Sequence, residues 1–192
     1  MDLILQILAV PGSREKMHLF AKVRILTTHK SNRSHLIIYR MEQSFTVRKA
    51  TPKDAESIIQ FNIAMAMETE NKTLKREEIE PGVNGLFEKP EYGFYMVAES
   101  DGKVVGSLMI TYEWSDWRNG LFWWIQSVYV IPEFRRKGVY KTMYLTIKAM
   151  ANEKPNVCGF RLYVEKENSN AQKTYTALGM DETHYKMYEE VK

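Results

Sequence analysis

From Phe45 onward the chain switches between two periods of hydrophobic and polar positions. The stretch FTVRKA alternates with a period of two, which predicts a strand, and Thr51-Pro52 after it is typical of a helix start. The following AESIIQFNIAMAMET places apolar residues at near-helical spacing. A second, weaker helix is predicted from Lys75 to Lys89, with an interruption at Pro81-Gly82.

Two turn signals organise the middle of the chain. Asp101-Gly102 joins two β-rich runs into a hairpin, and Asn119-Gly120 precedes LFWWIQSVYVI, which predicts a third antiparallel strand. The rest of the pattern predicts two helices and two strands in alternation: helix Lys137 to Asn152, strand Gly159 to Glu165, helix Asn170 to Ala177 and strand Glu182 to Glu189. The order β-α-α-β-β-β-α-β-α-β predicts an α/β (α+β) fold, a mixed sheet with helices on both faces.

Charge divides the 192 residues into two parts. Residues 1–40 carry seven Lys/Arg against two Asp/Glu, a net charge of +5, and the remainder carries 20 against 22, a net charge of −2. We therefore interpret 1–40 as a basic, poorly ordered extension and 44–191 as one domain, with organellar targeting as the less favoured alternative. The acidic balance of the domain argues against nucleic-acid binding.

The single cysteine and the short apolar runs bear on where the protein is expected in the cell. Cys158 is the single cysteine, so no internal disulfide forms, and no apolar run approaches the roughly 18 residues that cross a bilayer. We expect a cytoplasmic protein with no membrane partner and no metal.

The stretch VIPEFRRKGVYKTMY concentrates positive charge before a single glycine at a predicted helix start. Arg135, Arg136 and Lys137 precede Gly138, which is a poor helix residue and therefore calls for a reason. A glycine there lets a bulky anion reach N–H groups that have no helical partner. The alternative is a solvated basic face. Neither GxxxxGK(S/T) nor GxGxxG occurs in the chain, which sets two phosphate loops aside.

Together with a second segment, NSNAQKTYTALGM, this stretch resembles the GNAT (Gcn5-related) N-acetyltransferase superfamily. The family pattern of a V-x-V-like strand end and (R/Q)-x-x-G-x-(G/A) is matched from Val128 and Val130 through Arg135 to Tyr140, except at its last position. The downstream pattern N-x-x-A-x-x-x-Y-x-x-x-G-(F/M) is matched by Asn168, Ala171, Tyr175, Gly179 and Met180. The resemblance covers about residues 44–190.

The resemblance implies that acetyl-CoA, as cosubstrate, lies in a cleft between two splayed parallel strands, Ser127–Ile131 and Gly159–Glu165. The pantetheine arm would pair with the backbone of Val128 and Val130, and the pyrophosphate would rest on amides of residues 136–141. Tyr140 stands where the family has Gly or Ala, so its ring either leaves the cleft or lines it. The implied cofactor-binding residues are Val128, Tyr129, Val130, Arg135, Arg136, Lys137, Gly138, Val139, Tyr140, Lys141, Asn168, Ala171 and Tyr175.

The resemblance also implies direct attack of a neutral amine on the thioester. The N–H of Val128 would stabilise the oxyanion, and Tyr175 would act as general acid toward the thiolate unless it is only a core aromatic. Gln126 stands where many relatives have a glutamate base, and an amide can orient water or substrate but cannot take the proton. Four carboxylates are candidate bases, each with a solvated surface role as the alternative: Glu113, Asp116, Glu68 and Glu70.

All four tryptophans fall within eleven residues of the predicted second hairpin. Trp114, Trp117, Trp123 and Trp124 lie there with Phe122, and strand alternation puts Trp123 on the face opposite Phe122 and Trp124. At least one of these rings should be core. The others are equally consistent with an aromatic wall for an amine, a homodimer surface or core packing.

The sequence therefore predicts an N-acetyltransferase that moves an acetyl group from acetyl-CoA to a primary amine of a small molecule or protein. The alternative is a catalytically inactive acyl-CoA-binding or interaction module on the same fold, which Gln126 and Tyr140 suggest.

Overall fold

The computed structural model describes residues 44–192, so the predicted extension lies outside the described residues. The regular elements follow one another in the order β1 (Thr46–Lys49), α1 (Ala55–Glu70), α2 (Arg76–Glu88), β2 (Gly93–Ser100), β3 (Lys103–Ser115), β4 (Gly120–Val130), α3 (Val139–Asn152), β5 (Val157–Arg161) and α4 (Ser169–Ala177). Short 3₁₀ turns at Pro52–Asp54 and Pro132–Phe134 precede α1 and α3. No helix of residues 44–192 is long and apolar enough to cross a membrane.

The sheet keeps its strands in chain order, β1-β2-β3-β4-β5. The first four strands pair antiparallel, and β5 pairs parallel to β4. Asp101 and Gly102 both have positive φ (49° and 74°), as a two-residue hairpin between β2 and β3 requires. The mixed, mostly antiparallel sheet with one parallel pair is the predicted fold class.

Helices cover both faces of the sheet, as the element order predicts. On one face α3 packs Met143 and Ile147 against Trp123, Ile110 and their neighbours, all nearly inaccessible to solvent. On the other face α1 and α2 bury a separate cluster against β2: Ile58, Ile59, Val83, Tyr95 and Val97. Strand β2 is therefore buried on both faces, whereas every residue of the edge strand β5 is only half-buried.

Four details of the predicted elements were wrong. Helix α2 runs without interruption through Pro81, because Val83 is anchored in the core beyond it. The turn at Asn119-Gly120 is a four-residue loop, since Ser115 pairs with Gly120. Strand β5 ends at Arg161 instead of Glu165, where its pairing with β4 stops. No strand forms at Glu182–Glu189, because no strand of the described chain lies beside that segment.

Candidate active site

A bulge interrupts β4 near its C-terminal end. Tyr129 pairs with Ser107 and Gln126 pairs with Met109, so two residues of β4, Ser127 and Val128, oppose one residue of β3. Ser127 has a left-handed backbone, φ 48°, which few non-glycine residues adopt. Bulges of this kind re-aim backbone groups beside active sites. The bulge includes Val128, whose N–H is predicted to stabilise an oxyanion.

Beyond the bulge, β4 turns an unpaired edge toward β5. The N–H of Ile131 donates to the Val105 carbonyl on β3, at 3.0 Å. Because backbone polar groups alternate in direction along a strand, those of Val130 and Val128 point away from β3. These are the two residues predicted to pair with a pantetheine arm.

The parallel pair β4–β5 separates before that edge is reached. The last paired residues are Trp124 and Arg161, while β4 continues to Val130. The pairing of the two strands therefore ends before Gln126 and the bulge, which is where a cleft between splayed strands is predicted.

The turn before α3 also has an open, left-handed backbone. Arg136 and Gly138 have φ values of 61° and 82°, and no atom lies within 4 Å of where a Cβ on Gly138 would stand. Gly138 thus precedes the helix, and the prediction that it lies inside the first turn was wrong because its conformation is not helical. Since α3 begins at Val139, its first N–H groups have no carbonyl one turn earlier and face the open space.

Arg135 makes hydrogen bonds within the protein, so binding phosphate is not its only role. Its Nε donates to the Val130 carbonyl at 2.8 Å, and its Nη2 donates to Glu68 on α1 at 2.7 Å. The guanidinium also stacks over the Tyr129 ring. Arg135 therefore joins α1 to the open edge of β4, and its contact with a pyrophosphate stays a prediction. The neighbouring Arg136 and Lys141 are exposed at the turn.

Two tyrosines meet between α3 and α4. The ring of Tyr140 contacts that of Tyr175 edge-on, with centroids 5.5 Å apart, and stacks on Tyr144 at 6.2 Å. The Tyr140 ring has thus turned into the space between the two helices. Its hydroxyl is sealed from solvent and has no hydrogen-bond partner among the described residues.

Burial raises the pKa of both tyrosines. For Tyr140 burial acts first, with additions from Tyr175 and Tyr144, and the pKa lies well above its ordinary range. For Tyr175 burial alone raises the pKa. Both hydroxyls are therefore protonated at neutral pH and able to donate a hydrogen bond.

Asn168 and Ala171 form the start of α4. The Asn168 side chain accepts a hydrogen bond from the Ala171 N–H at 3.1 Å, which caps the helix. The cap holds α4 in place and so positions Tyr175 one turn further on. Contact of either residue with the cosubstrate stays a prediction.

A polar and aromatic cluster occupies the end of the sheet where β3, β4 and β5 meet. Glu113 accepts hydrogen bonds from Arg161, at 2.5 Å, and from the indole of Trp124. The Arg161 guanidinium lies 3.9 Å from the centre of the Phe122 ring. Sequence reasoning missed Arg161, although a lone charge inside the apolar run VCGFRLYV was a signal for it.

Three further predicted site residues, Gln126, Glu68 and Asp116, accept or donate hydrogen bonds within the domain. Gln126 donates to the Thr111 hydroxyl at 2.6 Å. Glu68 accepts from the Tyr129 hydroxyl at 2.8 Å and from Arg135. Burial acts to raise the pKa of Glu68, but these hydrogen bonds outweigh it and hold the pKa below its ordinary value. Asp116 accepts from the N–H of Trp117, and Glu70 is exposed at the end of α1.

The rings of the hairpin divide as alternation predicts. Trp123 and Phe122 are buried on opposite faces, Trp124 is half-buried in the cluster, and Trp114 and Trp117 are exposed. Within residues 44–192 no group of three or more His, Cys, Asp or Glu side chains is placed to hold a metal ion.

The family model of the acetyltransferase (GNAT) family matches residues 57–180. The chain belongs to this family, and the predicted resemblance is confirmed.

One solved structure supports that assignment, and two more distant ones share the fold. The possible acetyltransferase from Clostridium difficile 630 is 46% identical, with a TM-score of 0.72 over 77% of this chain and 97% of that one. A predicted acetyltransferase from Clostridium acetobutylicum, solved with acetyl-CoA, is 18% identical, with a TM-score of 0.64 over 76% and 96%. The aminoglycoside N-acetyltransferase AAC(6')-Iy, solved with CoA, is 14% identical, with a TM-score of 0.63 over 80% and 99%. No curated protein matches the chain.

Proposed function

We propose that the protein transfers an acetyl group from acetyl-CoA to a primary amine of a small molecule or protein. The observation that supports this most is the bulge at Ser127–Val128 on an open strand edge, facing the gap between β4 and β5. Two features at the gap fit a CoA molecule. The backbone groups of Val128 and the N–H of Val130 suit an amide-bearing arm, although the Val130 carbonyl already accepts from Arg135, and an open glycine turn with exposed cations suits a pyrophosphate.

The bulge would supply the hydrogen-bond donor that stabilises the oxyanion. An amine that attacks the thioester carbonyl forms a tetrahedral oxyanion, which needs a preorganised donor. We assign this role to the N–H of Val128, because alternation along β4 points it away from β3 and the bulge frees it.

Tyr175 would protonate the departing thiolate. Its hydroxyl makes no hydrogen bond to any other described residue, and its raised pKa keeps it protonated at neutral pH. The contact with Tyr140 holds its ring, so the same residue also packs between the helices.

The acceptor would enter from the α1–α2 side, over the cluster of Glu113, Trp124 and Arg161. Both oxygens of Glu113 and of Glu68 already accept hydrogen bonds. Because Glu113 and Glu68 are each held by an arginine, we assign proton removal from the ammonium to water oriented by the Gln126 amide, or to the exposed Glu70. The paired Glu113 would instead attract a cationic acceptor together with the Trp124 ring.

The test is release of free CoA thiol with a panel of amines: an aminoglycoside, a polyamine, an amino acid and a lysine peptide. Release that depends on one amine class, with the acetylated amine found by mass spectrometry, supports the proposal. The second candidate is a non-catalytic acyl-CoA-binding module, favoured by the glutamine at 126. Tight CoA binding without acetyl transfer to any amine would support that candidate.

A further inference from the structure

The side chain of Arg135 lies on the strand edge that the proposed function needs for the pantetheine arm. Its Nε donates to the Val130 carbonyl at 2.8 Å, and its guanidinium lies 5.3 Å from the centre of the Tyr129 ring. Val130 lies beyond the last paired residues of β4 and β5, where an added strand would form backbone hydrogen bonds. An arm that pairs with the Val130 carbonyl therefore competes with the Arg135 side chain.

The other end of the Arg135 guanidinium binds α1. Its Nη2 donates to Oε2 of Glu68 at 2.7 Å, and both side chains are 42% exposed. The second oxygen of Glu68 accepts from the Tyr129 hydroxyl at 2.8 Å. An exposed ion pair of this kind stabilises a fold only slightly, so its members can exchange partners.

The turn that follows Arg135 offers its guanidinium a stronger partner once the site fills. Arg136 and Lys141 are exposed at this turn, and Gly138 leaves it open, so a pyrophosphate fits there. A pyrophosphate carries more negative charge than one carboxylate, and a guanidinium binds phosphate oxygens through two parallel N–H donors. Because Arg135 directly precedes the turn, it can reach a phosphate by turning its side chain alone.

The departure of Arg135 leaves one oxygen of Glu68 without a partner. The Tyr129 hydroxyl still donates to Oε1, whereas Oε2 loses its only protein donor. A glutamate titrates near pH 4, so this carboxylate stays ionised at neutral pH. Since Tyr129 directly follows Val128 in β4, the released negative charge lies on the α1 side of the sheet, beside the bulge. This is the side from which the acceptor enters in the proposed function.

We propose that Glu68 binds the ammonium group of the acceptor, and that Arg135 covers this carboxylate until the cosubstrate is bound. Arg135 exchanges Val130 and Glu68 for the pyrophosphate, and the ammonium then takes its place on Glu68. This inference rests on the proposed function and adds an order of binding to it, with the cosubstrate first and the acceptor second. The role of Glu68 is binding, so removal of the proton stays with water or Glu70.

Pantetheine, the part of CoA without the pyrophosphate, separates the two contacts of Arg135. In the full chain, Arg135→Ala should bind pantetheine roughly two- to tenfold more tightly than the parent, the factor that one hydrogen bond is worth. The same variant should bind CoA more weakly, because it loses a charge toward the pyrophosphate. Arg136→Ala is the matched control, and it should weaken CoA binding and leave pantetheine binding unchanged. Unchanged or weaker pantetheine binding in Arg135→Ala would overturn the exchange.

The variant Glu68→Gln tests the exchange without removing the arginine. Arg135 no longer has to leave a carboxylate, so Glu68→Gln should bind CoA more tightly than the parent by titration calorimetry. Glu56→Gln is the matched control, because Glu56 also lies on α1 and is paired with an arginine, Arg76, but has no contact with β4. It should leave CoA affinity unchanged. Weaker CoA binding in Glu68→Gln would contradict the exchange.

The acceptor role of Glu68 has its own readout in acetyl transfer. With an amine from the thiol-release panel, Glu68→Gln should raise the KM for that amine at least about tenfold and keep kcat, since a hydrogen bond to a charged group is lost. Glu56→Gln should leave both constants unchanged. An unchanged KM in Glu68→Gln would overturn the acceptor role alone. If no amine is acetylated, the acceptor role falls with the proposed function, whereas the exchange of Arg135 is still decided by the affinities for pantetheine and CoA.

Discussion

Replacing Tyr140 by phenylalanine deletes a hydroxyl that is sealed from solvent and has no hydrogen-bond partner among the described residues. The ring contacts with Tyr144 and Tyr175 remain. A buried hydroxyl without a partner costs about 1–3 kcal/mol, so we expect the variant to gain up to that much free energy of unfolding. For a domain of this size each kcal/mol raises Tm by roughly 2–4 °C.

The same substitution should weaken CoA binding. We predict that CoA, when it binds, reaches the Tyr140 hydroxyl between α3 and α4 and offers it an acceptor. A hydrogen bond is worth about 0.5–1.5 kcal/mol with a neutral partner and about 1.5–3 kcal/mol with a charged one. The Kd for CoA should therefore rise by roughly twofold to a hundredfold. Stability without ligand and affinity for ligand then change in opposite directions, which a purely structural hydroxyl would not produce.

Thermal unfolding with and without CoA, together with titration calorimetry, measures both effects. Tyr144→Phe is the matched control, because its hydroxyl lies on the same helix but is not sealed and unpaired. We expect the Tyr144 variant to stay within about 0.5 kcal/mol of the parent. A Tyr140→Phe protein less stable than the parent would refute the reasoning on the buried hydroxyl. An unchanged Kd for CoA would remove that hydroxyl from the cosubstrate site.

The other predictions concern the turn, the acid, the boundary and pH. Gly138→Asp should weaken CoA binding, measured by calorimetry, at least about tenfold, or about 1.4 kcal/mol. Gly138→Asn, which has the same backbone strain and no charge, should weaken CoA binding less. Equal losses of affinity in the two variants would argue against a pyrophosphate at this turn. Tyr175→Phe should lower turnover by roughly 10²–10⁴ with CoA affinity kept, and equal rates would show that water protonates the thiolate. A protein starting at Met41 should keep the Tm and CoA-induced stabilisation of the full chain; a large loss would move the domain boundary. Burial acts to raise the pKa of Asp54, but hydrogen bonds led by Arg48 hold that pKa below its ordinary value. The contribution of Asp54 to stability is therefore full above about pH 4 and is lost as pH falls through the lowered pKa. Asp54→Asn should flatten the fall of Tm in acid, and a parallel fall of Tm in both proteins would contradict this.

Local patterns predicted most of the fold because their signals lie within a few residues. Asp101-Gly102 formed its two-residue hairpin, and alternation placed Trp123 on the core face opposite Phe122. The first family motif identified Val128, which lies in the bulge of β4, and the turn before α3. Helix α3 was predicted to begin at Lys137, two residues before its observed start at Val139, since a helical period does not register the left-handed backbone of Gly138 at the boundary.

Contacts between distant parts of the chain could not be predicted in this way. Arg135 and Glu68 are 67 residues apart, and Arg161 and Glu113 are 48 residues apart. Which arginine pairs with which carboxylate depends on strand order and on where β4 and β5 diverge, and no local period encodes either. The segment Glu182–Glu189 has a strand pattern, but a strand forms only where a neighbour exists, and the sequence does not say which chain supplies it.

The grouping of all four tryptophans on one hairpin makes the intrinsic fluorescence of the protein a local reporter. Trp114 and Trp117 are 58% and 86% exposed, so iodide should quench them, whereas Trp123 is 1% exposed and should emit at short wavelength through any quencher. Trp124 lies between, with its indole on Glu113 in the proposed acceptor site. In the presence of iodide, the remaining emission therefore comes from Trp123 in the core and from Trp124 in the proposed acceptor site. An unmodified protein therefore carries a built-in optical assay that can rank candidate amines by binding before any turnover is measured.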